Sequence, residues 1–254
     1  MGSKNFNLSD QPSTDELELN LRKKLIQLAL AFTQKGFPVK AFHEETWQDF
    51  HKFPLEKKRK IFGDFSSFYD IYMPVLQQPG SPNENGKLLW AAMKKFGLRP
   101  CADFFSQLEE GNIVEFYGPS GCQIFHNINF WEVSSYTFLE MFSYPFTELW
   151  TRDAATFEET KQVAIDGFSG KFKNTVNAHL PQQFLIEAFS EGKYIIQLDF
   201  TKFSPLYDSE GAIAALAIVS QGHVIDATEY AQVLKQRPHL PRPDNLFRLH
   251  VVET

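Results

Sequence analysis

Cysteine is nearly absent from this chain: 254 residues carry Cys101 and Cys122 alone. Two cysteines so far apart form neither a disulfide framework nor a metal-binding spacing, and a reducing compartment fits best. Long apolar runs are missing as well. None approaches the ~18 residues needed to span a membrane, and residues 1–12 are polar, with no apolar signal region. Positive charge is in short supply. Lys and Arg total 25 against 31 Asp and Glu, for a net charge of -6 and a pI near 5.7. A nucleic-acid surface needs clustered Lys and Arg. The one basic run, Lys57-Lys58-Arg59-Lys60, reads as a solvated helix face.

Catalytic patterns are also lacking. There is no G-x-S-x-G, phosphate loop, H-E-x-x-H or histidine-kinase-like motif. His43, Glu44 and Glu45 sit at a helix start, where the acidic pair suits the helix dipole without any metal. Glu109-Glu110 and Glu158-Glu159 are adjacent pairs whose side chains diverge on a helix, so they are poor acid/base partners. The expectation is a cytoplasmic protein without enzyme activity, with no membrane span and no DNA binding by this chain alone.

Phenylalanine, by contrast, is abundant, with 26 copies in a chain that is 43% hydrophobic and 22% charged. Such a composition belongs to an ordinary globular protein. The Phe content implies either a core rich in aromatic area or a cavity walled by aromatics.

The chain divides by periodicity. Residues 1–12 read as a disordered tail. Ser13 and Glu16 form an S-x-x-E capping pattern. Leu17, Leu21, Leu25, Leu28 and Phe32 then recur at helical spacing until Gly36. Helices are expected over 44–53, from Pro54 onward, over 87–96 and over 102–110, with a loop at 78–86. At Gly111 the pattern changes. Residues 112–117 and 122–126 read as a hairpin around Gly118-Pro119-Ser120-Gly121. Short helices are expected at 130–134 and 137–142, and a longer one from an Asp153 N-cap to about 166. A helix over 180–189 and strands over 193–203 and 212–220 complete the reading. The fold class is α+β: a helical region over 13–110, a sheet domain over 111–220, and a C-terminal extension over 221–254.

Several residues in this order resemble a PAS domain. Asn127 and Asn129 with Phe130 follow the second strand as the family's Asn-x-x-Phe-like region does. Ser135-Tyr136 and Leu139-Glu140 are similar to its Gly-Tyr…Glu-Leu segment. Pro145, Leu149 and Asp153 resemble its hPxD helix start, and Asp208-x-x-Gly211 its last hairpin. The resemblance covers roughly 111–220 and is closest to sensory regions that precede LuxR-type helix-turn-helix domains in bacterial regulators. It implies an antiparallel sheet of about five strands flanked by helices. Two features depart from it: the helix expected over 180–189 occupies the place of the third strand, and only 34 residues follow Ser220, too few for a LuxR-type domain.

Two functional readings follow from the resemblance. One is a sensory or regulatory protein, acting in signal transduction or transcription regulation, that binds a small apolar ligand or a protein partner. The other is a non-sensing interaction module with a solid core. If a ligand binds, Phe130, Tyr136, Phe138, Phe142 and Tyr194 are the expected site residues, with Asn129 a further polar fixing point. From Tyr194, the alternate residues Ile196, Leu198 and Phe200 share one strand face. No cofactor is named by the sequence. Neither cysteine stands in the Asn-Cys-Arg-like context of a flavin photoreceptor, and both read as buried small residues. His126 and His179 read as hydrogen-bonded core or edge residues rather than haem ligands. A homodimer is expected, with the Leu17, Leu21, Leu25 and Leu28 face as its candidate seam, unless that face is buried within the chain.

Overall fold

Helix α1, Thr14–Gln34, begins where its sequence says it should. The Ser13 side chain accepts from the Glu16 N–H at 3.3 Å, and Asp15 and Glu16 place negative charge at the positive end of the helix. The computed structural model describes residues 13–78 and 84–243; residues 1–12, the middle of the 78–86 loop and the end of the C-terminal extension lie outside these. Leu17, Leu21, Leu25, Leu28 and Phe32 are all buried. The face proposed as a dimer seam is therefore consumed within the chain, because it packs on α3.

Helices α2 (Glu44–Lys52), α3 (Leu55–Leu76) and α4 (Glu84–Phe96) complete the N-terminal layer. Pro74 stands in the last turn of α3, where it offers no N–H to the Asp70 carbonyl and the helix ends two residues later. The basic run at its start is not a uniformly solvated face. Lys58 is buried, its ammonium held by Glu18 Oε1 at 2.8 Å and the His51 carbonyl at 2.7 Å. Burying its stem and meeting both acceptors is how an amphipathic cation enters a core.

Beyond Phe96 the chain departs from the expected helix over 102–110. Arg99–Pro100 forms a short strand, β1, and only the turn Phe105–Gln107 is helical, in 3-10 form. Strands β2 (Ile113–Tyr117) and β3 (Gln123–His126) make the expected hairpin. A 3-10 turn (Ile128–Glu132), helices α5 (Phe138–Ser143) and α6 (Phe146–Leu149), a short strand β4 (Trp150–Thr151) and helix α7 (Ala154–Phe168) follow. Short strand β5 (Val176–Asn177), then β6 (Gln183–Glu187), β7 (Ile195–Tyr207), β8 (Ile213–Ile225) and helix α8 (Ala227–Gln236) end the described chain.

The helix expected over 180–189 is the strand β6. All five of its residues are buried. A short, fully buried apolar run has no periodicity to separate helix from strand, and pairing with β7 decides it. The correction removes one departure from the PAS resemblance, since β6 occupies the third-strand position.

All pairings in the sheet are antiparallel, in the order β3-β2-β8-β7-β6-β4, with β1 and β5 added along β7. The hairpin stands at one edge, the two long last strands in the centre, and the helices α5–α7 are inserted between β3 and β6. That arrangement is PAS-like and α+β. Strands β7 and β8 run 13 residues each, so Pro205, beyond the end of the strand expected over 193–203, lies inside the ladder opposite Leu216. The connecting turn at 208–211 ends on Gly211 at φ +86°, which a side chain would strain. Helix α7 lies tight against β8. A Cβ built on Gly167 would fall 2.7 Å from Phe172 and 2.8 Å from Leu216.

An aromatic cluster joins the helical layer to the sheet domain. Phe138 of α5 contacts Phe32 at 5.1 Å, Trp131 at 4.7 Å and Phe65 at 6.0 Å between ring centroids. Phe32 also meets Tyr72 at 5.1 Å, and the Tyr72 hydroxyl donates to the His126 carbonyl at 2.6 Å. Backbone bonds reinforce the join, since the Phe138 and Leu139 N–H groups, orphans of the first turn of α5, donate to the Lys40 and Ala41 carbonyls at 3.1 Å. Phe32→Ala is expected to cost about 3–5 kcal/mol, the usual range for emptying a buried Phe site. Urea unfolding followed by far-UV circular dichroism and by tryptophan fluorescence should shift together, because one core is weakened. Two separated transitions would contradict that coupling.

Candidate ligand cavity

Sheet and inserted helices do not close completely on each other. Between them lies a cavity of about 620 Å³, lined by Ile196, Leu198 and Phe200 of β7, Leu216 and Ile218 of β8 and Leu185 of β6. Its roof comes from Met141 and Phe142 of α5, Phe146 and Leu149 of α6, and Phe157 and Ala164 of α7, with Phe68 reaching in from α3. The volume falls within the usual span for small-molecule pockets, roughly 300–1,000 Å³, and the walls are mainly apolar, as such pockets require.

Of the residues nominated from sequence, Phe130 and Phe142 line this cavity, and Ile196, Leu198 and Phe200 share the expected face. Tyr136, Phe138, Tyr194 and Asn129 have other work. Tyr136 donates its hydroxyl proton to the Leu149 carbonyl and accepts from the Ala188 N–H at 3.0 Å, pinning α6 to β6. Phe138 points into the aromatic cluster. Tyr194 is 36% exposed at the start of β7. Asn129 belongs to a buried amide ladder. Its Nδ2 donates to the Asn112 carbonyl at 2.9 Å and its Oδ1 accepts from Asn85 at 2.8 Å. Asn127 completes the ladder by accepting from the Val114 N–H at 3.0 Å. The PAS-like Asn motif is thus structural, tying α4 and the 3-10 turn to β2. Cys101 is buried as expected, but Cys122 is exposed in the hairpin turn.

The polar lining was not legible beforehand. Glu115, on β2, is buried beneath Tyr117 and Gln123. Its Oε1 accepts from the Tyr117 hydroxyl at 3.2 Å and from the Gln123 amide. Burial raises the Glu115 carboxyl to about 7, and the two hydrogen bonds and Arg152 only partly oppose it. Arg152 lines the same cavity just after β4, with its guanidinium over the Phe146 ring at 4.9 Å and the Phe157 ring at 5.2 Å. Burial lowers its pKa, while Tyr117 and Glu115 pull the other way.

Two further polar atoms in the lining are orphaned. His126 Nε2 and Trp150 Nε1 are buried without a hydrogen-bond partner. The expected hydrogen-bonded core histidine is therefore half right: His126 is core, but this nitrogen is unmatched. Burial drives its pKa down to about 3, so the ring is neutral near pH 7. Trp150 packs on Phe146 at 4.6 Å and Tyr136 at 5.4 Å with its N–H unused. Such orphans are rare enough to need an explanation.

Chemically, the arrangement can bind. Among the described residues no group of three or more His, Cys, Asp or Glu could hold a metal ion, and no helix is long and apolar enough to cross a membrane.

No family model and no curated protein matches this sequence. Among solved structures, an RNA-binding Light-Oxygen-Voltage receptor aligns over 87% of this chain at 12% identity, with a TM-score of 0.29. This chain spans 66% of that receptor, just under two thirds. At that score the likeness carries no functional weight.

Glu115 gives the cavity a pH signature. Its folded pKa lies above the ordinary carboxyl value of 4.5, so the folded state holds a proton that the unfolded chain has released. Stability from this group is complete below about pH 4.5 and is lost as pH rises through about 7. Glu115→Gln keeps an acceptor oxygen and removes the charge. It should stabilise the protein by up to about 3 kcal/mol at about pH 8 and by much less at about pH 5. Chemical denaturation at the two pH values checks this, and an equal effect at both would contradict it.

Proposed function

We propose that this protein is a sensory, non-enzymatic PAS-like module that takes a small, largely apolar molecule between its sheet and inserted helices. One observation carries the reading: a cavity of about 620 Å³ with mainly apolar walls. A solid-core interaction module would have packed that space, because an empty apolar volume forfeits dispersion contacts. The output is read through α3 and α5. Phe68 and Phe142 line the cavity and also meet each other at 5.3 Å, so occupancy bears directly on the seam with the helical layer. A cytoplasmic role in signal transduction or transcription regulation, of the kind served by sensory regions ahead of LuxR-type domains, and function as a homodimer belong to the same proposal. The sequence resemblance supports them.

Protein purified from its native host should carry a bound small molecule, seen as a discrete mass increment in native mass spectrometry. Ala164→Phe, which projects a ring from α7 into the cavity, should abolish the increment while the protein stays folded. Phe142→Ala should cost less than the roughly 3–5 kcal/mol of a fully packed Phe, since this side chain borders open space. A wild-type mass with no increment, together with the full core penalty at Phe142, would leave only the solid-core module.

A further inference from the structure

The cavity's charges are unevenly matched. Three cations line it. Lys60 and Lys161 sit at its rim and are paired with Asp64 at 2.6 Å and Glu158 at 3.3 Å. Arg152 is different. No carboxylate stands within 4.0 Å of it among the described residues, and its one hydrogen bond there is a long one, 3.4 Å, to the Phe146 carbonyl. Phe146 and Phe157 hold the guanidinium plane in place while leaving most of its N–H fork unused. A fixed planar fork with free donors, largely out of water, is the geometry that suits bidentate capture of a carboxylate. The nearest internal anion, Glu115, already spends Oε1 on Tyr117 and Gln123.

We propose that the cavity binds an aromatic or alicyclic carboxylic acid, its carboxylate gripped by Arg152 and its ring system lying along Leu198, Ile218 and Phe142. This rests on the cavity being a ligand site at all.

Glu115 makes the capture pH-dependent. Facing it are Tyr117 and Gln123 on the hairpin, His126 directly opposite on β3, Ile218 opposite on β8, and Arg152 beyond β4, with Thr160 and Lys161 of α7 in the same lining. His126 is neutral near pH 7 and supplies no charge. A carboxylate arriving at Arg152 repels ionised Glu115 and is best accepted when Glu115 takes up a proton. No bond is made or broken; one proton passes from solvent to Glu115.

The test is calorimetric titration of the full chain with 6-hydroxy-2-naphthoate, 1-naphthylacetate and 4-cyclohexylbutanoate, each beside its primary amide. At least one acid should bind about tenfold or more tightly than its amide, as loss of a charge-assisted pair implies. The preference should tighten as pH falls from about 8 to about 6 and lose that slope in Glu115→Gln. Arg152→Met should bind acid and amide alike, and Arg152→Lys should fall between. Melting temperatures confirm that each variant is folded, with Arg152→Gln replacing any that is not. Amides binding as well as acids, or an acid preference surviving in Arg152→Met, overturns the carboxylate assignment while the cavity remains a ligand site. Binding of none of these acids overturns it too, and a mass increment on host-purified protein then tells whether the ligand-site reading survives.

Discussion

Everything about the cavity depends on where Phe138 goes. In a sheet domain with helices on one face, the apolar side of α5 would be expected to press onto the strands. Here Phe138 packs outward, into Phe32, Phe65 and Trp131. The free N–H groups at the start of α5 bond to carbonyls of the segment after α1. The helical layer therefore holds α5 from behind, and the space over β7 and β8 is left to smaller encroachments by Met141 and Phe142. The N-terminal helices thus back α5 and reach the cavity through Phe68 of α3.

The polar lining follows from the same geometry. Glu115 alternates with Ile113 and Tyr117 on one face of β2, so the strand that carries apolar residues into the cavity carries a carboxyl group there too. Excluded from bulk water, that carboxyl holds its proton to about pH 7, and His126 opposite gives its proton up. The two shifts have one cause, desolvation, acting with opposite sign on an acid and a base. Arg152 remains charged against the same penalty because rings flank it and Glu115 and Tyr117 lie within electrostatic reach. Nothing in this set resembles a nucleophile–base pair.

Local signals served well wherever a segment's own chemistry decides its form. The Ser13 cap, the Leu17–Phe32 stripe, the Asp153 cap and the turn ending on Gly211 are all legible in the residues themselves and all stand in the structure. The hairpin at Gly118–Gly121 and the change of period at Gly111 are of the same kind. Residues 183–187 were not legible, because Gln-Phe-Leu-Ile-Glu is buried on both faces and carries no period; only the neighbouring β7 makes it a strand. Lys58 misled for a related reason. A Lys in a basic run is normally solvated, and its burial needs Glu18 and the His51 carbonyl, both supplied by other turns of the fold.

The sequence by itself determined that this chain is α+β, helical first and sheet-forming after, with a PAS-like order of elements and aromatic residues concentrated between the hairpin and α7. Of the residues it named for a ligand site, Phe130 and Phe142, with the Ile196–Phe200 strand face, line the cavity. Only the tertiary structure decided that a cavity exists, that Phe138 and Tyr136 serve packing and pinning instead, and that Glu115, Arg152, His126 and Trp150 meet in one lining. The reason is physical. Periodicity and caps are properties of neighbours along the chain, whereas desolvation, an unfilled volume and an unpaired donor arise between segments far apart in sequence, and no local pattern encodes them.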